Sequence, residues 1–153
     1  MSNAEQRLND LGLALPPPQT PVANYVRAVR TGNLIFLAGH LPVENGTIVH
    51  QGKLGRDMDV ETGYRAARLV MLNCLASLKE AIGDLDRVQR VVKLLGMVNS
   101  APDFTEHPQV MNGASDLLVQ IFAERGRHAR SAVGMAGLPS GVAVEIEMIV
   151  EVE

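Results

Sequence analysis

The stretch from residue 128 to residue 150 reads His-Ala-Arg-Ser-Ala-Val-Gly-Met-Ala-Gly-Leu-Pro-Ser-Gly-Val-Ala-Val-Glu-Ile-Glu-Met-Ile-Val, and its pattern decides the fold. Two segments whose residue types alternate with a two-residue period flank Gly-Leu-Pro-Ser-Gly. This pattern predicts a β-hairpin with a five-residue connection. In the second strand, alternate side chains lie on opposite faces. One face carries Val144, Ile146, Met148, Val150 and Val152, and the other carries Glu145, Glu147, Ile149 and Glu151. We expect the first face to pack on a core and the second to stay polar.

The first strand of this stretch contains one arginine, Arg130, followed on the same face by Ala132, Gly134 and Ala136. Small side chains leave a shallow trough on a sheet surface, and a guanidinium at its end can donate two parallel hydrogen bonds to a small carboxylate. The alternative is a strand-end arginine that pairs with a surface glutamate.

The rest of the chain predicts an α+β fold. Apolar residues at helical spacing indicate a helix over residues 60–82, capped by Asp57 or Asp59 and ended by Gly83, and a second helix from Pro108 to Ile121, closed by Gly126. Strands are expected at about 24–30, 33–41 and 47–50, as a three-stranded meander, and at 88–98. The order β-β-β-α-β-α-β-β places two helices on one face of a mixed sheet.

Residues 1–22 are interpreted as an N-terminal extension and residues 23–153 as the domain. Leu8, Leu11 and Leu15 have helical spacing, which predicts a short helix before Pro16-Pro17-Pro18.

Composition restricts the function. The chain has 153 residues, a formal net charge of -3, two Tyr, three Phe and no Trp. This predicts one globular domain without general attraction to nucleic acid or anionic membranes. We find no membrane-length apolar run and no signal sequence, so a cytoplasmic location is expected. The single cysteine, Cys74, lies on the apolar side of a predicted helix and is interpreted as a buried small residue.

No cofactor or metal is predicted. The four histidines lack metal-ligand spacing and are interpreted as incidental surface or turn residues; they are His40, His50, His107 and His128. Neither a phosphate-binding loop nor a dinucleotide fingerprint is present. Ser131 lacks an evident histidine base, which disfavours a hydrolase nucleophile there.

The motif Ala-Arg-Ser-x-Val at 129–133, then Leu138-Pro139, then Val-Glu-Ile-Glu at 144–147, is similar to the signature of the RidA/YjgF family, the reactive intermediate deaminases, also called liver perchloric-acid-soluble proteins. Tyr25, the run at 32–42 and Asp103-Phe104 resemble further landmarks of that family in the same order. The resemblance covers about residues 20–152. The N-terminal pattern resembles a branch with a longer N-terminus.

The resemblance implies a chorismate-mutase-like fold and a homotrimer with three clefts between subunits. It further implies that Arg130 holds the carboxylate of a 2-imino acid, while Glu145 orients a water that attacks the imine carbon and releases ammonia. Tyr25, Ala38, Gly39 and Ala132 would complete the substrate site. The product would be a 2-keto acid.

Two departures from the family leave the substrate open. The chain has Ala132 where the family's deaminases usually have cysteine, and Ala38-Gly39-His40 where they usually have Ser-Gly-Gln. No role is assigned to an asparagine between Phe104 and Asn112, because this connection is longer than usual. The alternative function is a trimeric binding module that holds a metabolite carboxylate without turnover. RNA cleavage, a name attached to some relatives, is disfavoured by charge and aromatic content.

Overall fold

A computed structural model describes residues 3–21 and 23–153. Its helices are α1 (Ala4–Asp10), α2 (Val60–Ile82) and α3 (His107–Phe122). Its strands are β1 (Ala28–Thr31), β2 (Leu34–His40), β3 (Val43–Glu44), β4 (Thr47–Ile48), β5 (Val88–Asn99), β6 (Ala129–Met135) and β7 (Val144–Val152). The α+β, chorismate-mutase-like fold is confirmed.

Five strands form one mixed sheet in the order β1-β2-β7-β5-β6. Neighbouring strands are antiparallel except for β5 and β6, which are parallel and are connected through α3. The long helices α2 and α3 pack against each other and cover one face of this sheet. The buried residues of β7 face these helices, as predicted, because all five of Val144, Ile146, Met148, Val150 and Val152 belong to the core.

The predicted hairpin is wrong. Strand β5 lies between β6 and β7, so the two strands that flank Gly-Leu-Pro-Ser-Gly do not pair with each other. The turn sequence instead forms a short 3₁₀ turn, Pro139–Gly141, in which Ser140 and Gly141 both have positive φ. Alternation along a strand identifies its buried face but does not identify its neighbour. Here α3 returns the chain to the far edge of the sheet.

The predicted three-stranded meander is also wrong. Strands β1 and β2 pair, but β3 and β4 form a separate two-stranded ribbon. Asn45-Gly46 does form the expected turn, with φ of 52° and 77°. This two-residue turn joins two strands of two residues each, which pair with each other and not with the main sheet.

The two predicted long helices are confirmed. Asp59, rather than Asp57, caps α2, because its carboxylate accepts a hydrogen bond from the Thr62 N–H at 2.9 Å. Gly83 ends the helix with a φ of 88°, a conformation that favours glycine. Cys74 is fully buried in α2, as expected, and this burial raises the pKa of its thiol.

The short helix α1 packs on the helix layer. Ala4 and Leu8 are buried in the same core as α2 and α3. The Ala4 N–H donates to the carboxylate of Asp86 at 2.9 Å, and the guanidinium of Arg7 donates to the carbonyl of Ile121 at 3.1 Å. A separate extension over residues 1–22 stays a prediction, and Val22 lies outside the described residues.

The face of the sheet opposite the helices is less polar than predicted. Besides the glutamates of β7, it carries apolar side chains that line a shallow depression of 410 Å³. Val26, Val29 and Phe36 are exposed, and Leu95 and Ile149 are half-buried, with Lys93 and Glu147 beside them. Within the described part of the chain, no helix is long and apolar enough to span a membrane.

Candidate functional site

Arg130 extends from β6 toward α3. Its Nη1 donates to Oδ1 of Asn112 at 2.9 Å and to Oγ of Ser115 at 3.1 Å. Among residues 3–21 and 23–153, no carboxylate forms a salt bridge with Arg130 and no acceptor bonds its Nε or Nη2. The guanidinium therefore keeps one full edge of parallel N–H donors for a ligand. Pairing with a surface glutamate, the alternative interpretation, is absent from these residues.

A histidine supports this arrangement. Nδ1 of His128 lies 2.7 Å from the carbonyl of Gly126, and its Nε2 lies 2.9 Å from Oγ of Ser115. Burial lowers the pKa of His128, and the nearby positive charge of Arg130 lowers it further. A neutral His128 thus accepts a hydrogen bond from the hydroxyl of Ser115, whose oxygen in turn accepts one from Nη1 of Arg130.

The predicted trough after Arg130 is partly filled. Ala132 lies on the same face as Arg130 and packs against the core. Gly134 is exposed, but a Cβ atom there would lie 2.6 Å from Nε2 of His107 and 2.8 Å from Oγ of Ser100, so these two side chains occupy the space beside it. His107 and Ser100 therefore fill the part of the trough beside Gly134.

Glu145 lies in a different environment, against the backbone of β2. A Cβ atom on Gly39 would overlap Oε2 of Glu145 and lie 2.9 Å from its Cδ. The carboxylate therefore occupies the space that the missing side chain of Gly39 leaves open. Ala38, Gly39 and Glu145, three of the predicted site residues, are brought together here.

The close approach of Glu145 depends on a β-bulge. Leu37 pairs with Met148 and His40 pairs with Ile146, so β2 has two residues where β7 has only Glu147. The bulge shifts the alternation by one, and consequently Leu37 and His40, three residues apart, both face the helices and are 4% exposed. Ala38 and Gly39 are the two residues of the bulge.

The environment of Glu145 changes its acidity. Partial burial raises the pKa of the Glu145 carboxyl above its ordinary value, and the negative charge of Glu147 raises it further. Such a carboxylate takes up a proton more readily than a solvated one. It is thereby better suited to act as a general base near neutral pH.

Arg130 and Glu145 lie on opposite faces of the sheet. Arg130 pairs with Leu94 of β5, and Leu94 pairs with Met148 of β7. Leu94 and Met148 are both buried under the helices. Glu145 pairs with Met97, which pairs with Val133, and these three residues lie on the opposite face of the sheet. Since paired residues in adjacent strands project to the same side, one copy of the chain cannot bring these two side chains together.

Tyr25 precedes β1 and is 48% exposed. The carbonyl of Arg27, two residues later, accepts a hydrogen bond from the Ala38 N–H at 2.8 Å. Tyr25 is therefore close in sequence to the backbone that pairs with the bulge, and far from the α3-facing side of Arg130. Its role in substrate binding stays a prediction, as do the roles of the other site residues.

The sequence interpretation missed several residues of this site. It treated His40 and His128 as incidental surface or turn residues, which is wrong, because His40 is buried and His128 is half-buried with both ring nitrogens hydrogen-bonded. It also gave Asn112 no role, although Asn112 and Ser115, three residues apart on α3, both hold Arg130. His128 and Arg130 are two residues apart, and side chains at this spacing lie on the same face of an extended segment. This spacing was the sign in the sequence that His128 could lie beside Arg130.

Within the described residues, no group of three or more His, Cys, Asp or Glu side chains could hold a metal ion.

Comparisons with known proteins agree on one family. Residues 5–150 match the family described as "YjgF/chorismate mutase-like, putative endoribonuclease". The chain is 47% identical to protein TCP17 of Trypanosoma cruzi over 145 residues, which are 94% of this chain and 91% of that protein.

Solved structures give the same answer. A protein of unknown function from Agrobacterium tumefaciens is 48% identical, with a TM-score of 0.93 over 98% of this chain and 92% of the other. RidA from the Antarctic bacterium Psychrobacter sp. PAMC 21119 is 28% identical, with a TM-score of 0.61 over 89% of this chain and 94% of that protein.

Proposed function

The chain belongs to the RidA/YjgF family, and from that premise we propose that it hydrolyses 2-imino acids to 2-keto acids and ammonia in a cleft between the subunits of a homotrimer. The observation that carries the proposal is the pair of complementary half-sites on opposite faces of the sheet. One half is the unpaired donor edge of Arg130, and the other is the carboxylate of Glu145 at the Gly39 bulge.

Two half-sites on opposite faces can meet only when one copy presents Arg130 to the Glu145 face of another copy. A contact between different surfaces of identical chains closes into a ring when its rotation allows, and a trimer then contains three equivalent clefts. In this proposal, Arg130 and Ala132 come from one subunit, whereas Tyr25, Ala38, Gly39 and Glu145 come from its neighbour.

The apolar depression on the open face of the sheet supports the assembly. Val26 and Phe36 are 62% and 40% exposed in the single chain, and Val29 and Ile149 lie beside them. Covering such side chains with a second copy would remove apolar surface from water. The covered area adjoins Ala38, so the interface and the cleft would be continuous.

The proposed chemistry requires little from the protein, because an imine carbon is already electrophilic. Arg130 would hold the substrate carboxylate through two parallel hydrogen bonds and so position the imine carbon in front of Glu145. A water oxygen would bond to that carbon while Glu145 passes a water proton to the nitrogen. The C–N bond would then break as Glu145 moves the hydroxyl proton to the nitrogen, so that ammonia leaves and the carbonyl of the 2-keto acid forms.

A binding module for metabolite carboxylates is the second candidate, and the free donor edge of Arg130 favours it equally. The two candidates differ at Glu145. A base must be placed in the cleft for turnover, whereas a second carboxylate near a bound anion weakens simple binding. The raised pKa of Glu145 and its defined seat on Gly39 favour the enzyme.

The experiment is a coupled assay in which an amino-acid oxidase generates imines from a panel of amino acids. We expect the wild-type protein to accelerate ammonia release, Arg130→Ala to abolish both acceleration and 2-keto acid binding, and Glu145→Gln to abolish acceleration while binding is retained. The matched control is Glu151→Gln, which removes the same charge from the same face of β7 but from a carboxylate that pairs with Arg90. No acceleration with any imine, together with saturable 2-keto acid binding that depends on Arg130, would leave the binding module as the function.

A further inference from the structure

The Glu145 half of the site is tied to the helix layer by His40. Its Nδ1 lies 2.6 Å from the carbonyl oxygen of Ala38, within the bulge, and its Nε2 lies 2.7 Å from Oγ of Ser77 on α2. Both His40 and Ser77 are buried. A buried side chain thus connects the backbone beneath Glu145 directly to a long helix.

The Arg130 half is tied to the helix layer in the same way. His128 places Nδ1 against the carbonyl of Gly126, again two residues earlier in the chain, and Nε2 against a serine of a long helix, Ser115 of α3. We name this arrangement a histidine clamp: a histidine bonded through Nδ1 to the carbonyl two residues before it and through Nε2 to a helix serine. Residues 3–21 and 23–153 contain two such clamps, at His40 and His128.

The hydrogen-bond roles in both clamps follow from the partners. A carbonyl oxygen can only accept, so Nδ1 must carry the proton in each case. In a neutral imidazole, Nε2 is then an acceptor, and the serine hydroxyl must donate to it. Burial lowers the pKa of both histidines, which is consistent with the neutral form. Each ring is therefore held in one tautomer and one orientation.

Each clamp fixes a different group of the proposed reaction. The His40 clamp holds the carbonyl of Ala38 toward α2, and this orientation sets the adjoining Gly39, against which Glu145 rests. The His128 clamp orients the hydroxyl of Ser115 so that its oxygen lone pairs face Nη1 of Arg130 at 3.1 Å. Neither histidine touches the open edge of Arg130 or the carboxylate of Glu145.

We propose that His40 and His128 are positioning residues with separate duties: His40 positions the Gly39 bulge and thereby the base Glu145, and His128 positions the carboxylate-binding Arg130. The inference rests on the proposed function, which it extends to residues outside the cleft. Because one clamp serves the base and the other serves the anion site, loss of each must affect a different kinetic quantity.

The test compares His40→Leu and His128→Leu in the intact protein. For His40→Leu, we expect kcat to fall about 10- to 100-fold while the dissociation constant of a 2-keto acid changes less than about twofold, because only the base is displaced. For His128→Leu, we expect that dissociation constant to rise about tenfold while kcat at saturation changes less than about threefold, because the anion site is loosened.

Glutamine provides the rescue variants. Its amide has one N–H donor group and one carbonyl acceptor, so it can replace both bonds of a clamp. His40→Gln and His128→Gln should therefore recover most of the lost function. His50→Asn is the matched control: His50 belongs to neither clamp, and its φ of 55° is one that asparagine tolerates. If either leucine variant fails to fold, Ser77→Ala or Ser115→Ala opens the same clamp by deleting one hydroxyl, and the same split is expected.

Magnetic resonance supplies a readout that does not require turnover. In the wild-type protein, the ¹⁵N shifts of both rings should show protonated Nδ1 and unprotonated Nε2. In His40→Leu, the pKa of the Glu145 carboxyl should fall toward its ordinary value as the carboxylate gains water, whereas in His128→Leu it should not change. Absent imine hydrolysis combined with these spectral results would refute the proposed reaction but keep the clamps.

Three outcomes would overturn the inference. They are the opposite tautomer in either ring, the same kinetic quantity affected by both leucine variants, and folded leucine variants that leave kcat, 2-keto acid binding and the pKa of Glu145 unchanged.

Discussion

The carboxylate of Glu145 lies against Gly39, in the space that the Cβ atom of any other residue at position 39 would occupy. Gly39 does not have positive φ, so its backbone conformation is open to other residues. The glycine is needed here for contact and not for conformation. The methyl group of an alanine at position 39 would therefore displace the Glu145 carboxylate without straining the backbone of β2.

We therefore expect Gly39→Ala to lower kcat about 100-fold, because misplacing a catalytic group by about 1 Å has an effect of that size. Its thermal stability should change little. The control is Gly137→Ala, where an added Cβ meets no atom within 4 Å and φ is not positive. Full activity in Gly39→Ala would show that the position of Glu145 against Gly39 is irrelevant to turnover.

The acidity of Glu145 predicts a pH dependence. Burial and the charge of Glu147 raise its pKa, and the base must be ionised, so kcat/KM should fall as the pH decreases through that raised pKa. Glu147→Gln removes one cause of the increase. It should lower the pKa of Glu145 and move the acid limb of the profile to lower pH. Glu151→Gln, in which the lost carboxylate pairs with Arg90, should leave the limb in place. A shift to higher pH in Glu147→Gln would contradict this account.

Helix α1 should contribute to stability. Leu8 is 3% exposed and belongs to the core, so Leu8→Ala should reduce the free energy of unfolding by about 2–4 kcal/mol. Leu11, 39% exposed at the end of the same helix, is the control, and Leu11→Ala should change that free energy by less than about 1 kcal/mol. Urea unfolding measures both. Equal, small effects would mean that α1 is only an appendage.

RNA cleavage should not depend on this site. With a formal net charge of -3, the chain lacks the excess of Lys and Arg from which RNA-binding proteins derive affinity. We expect any cleavage of single-stranded RNA by a preparation to decrease on further purification and to be unchanged by Arg130→Ala. Cleavage that survives repurification and disappears in Arg130→Ala would assign the family's endoribonuclease description to this chain.

Much of the fold could be predicted from sequence because hydrophobic period reports which face of an element is buried. The bounds of α2 and the buried face of β7 are examples. Strand neighbours could not be predicted this way, since β5 separates β6 from β7 and the residues that pair, such as Leu94 and Met148, are 54 positions apart. The apolar character of the sheet face opposite the helices was missed because the prediction considered only β7, whereas β1, β2 and β5 contribute most of the apolar side chains on that face.

The supporting residues of the site were missed for a related reason. His40 and Ser77 are 37 positions apart, and nothing in the local sequence of either indicates the other. The bulge at Ala38-Gly39 could not be predicted from a two-residue period either, because that period places Leu37 and His40 on opposite faces. The bulge brings both to the buried face. The sequence motif indicated Arg130 and Glu145, but not that they project from opposite faces of the sheet.

The central claim is that the site combines Arg130 of one copy with Glu145 of another, and subunit mixing tests it most directly. Arg130→Ala and Glu145→Gln should each be inactive alone. When the two are co-assembled in equal amounts, about a quarter of the clefts would regain both wild-type residues if the subunits mix at random.

The measurement is the imine hydrolysis rate of the mixed assembly, with a mixture of wild type and the Arg130→Ala, Glu145→Gln double variant as the control. The account predicts about a quarter of the wild-type rate per chain in both mixtures, because every cleft draws its two residues from different copies. A site within one chain predicts no activity in the first mixture and about half in the second. That result would contradict the account.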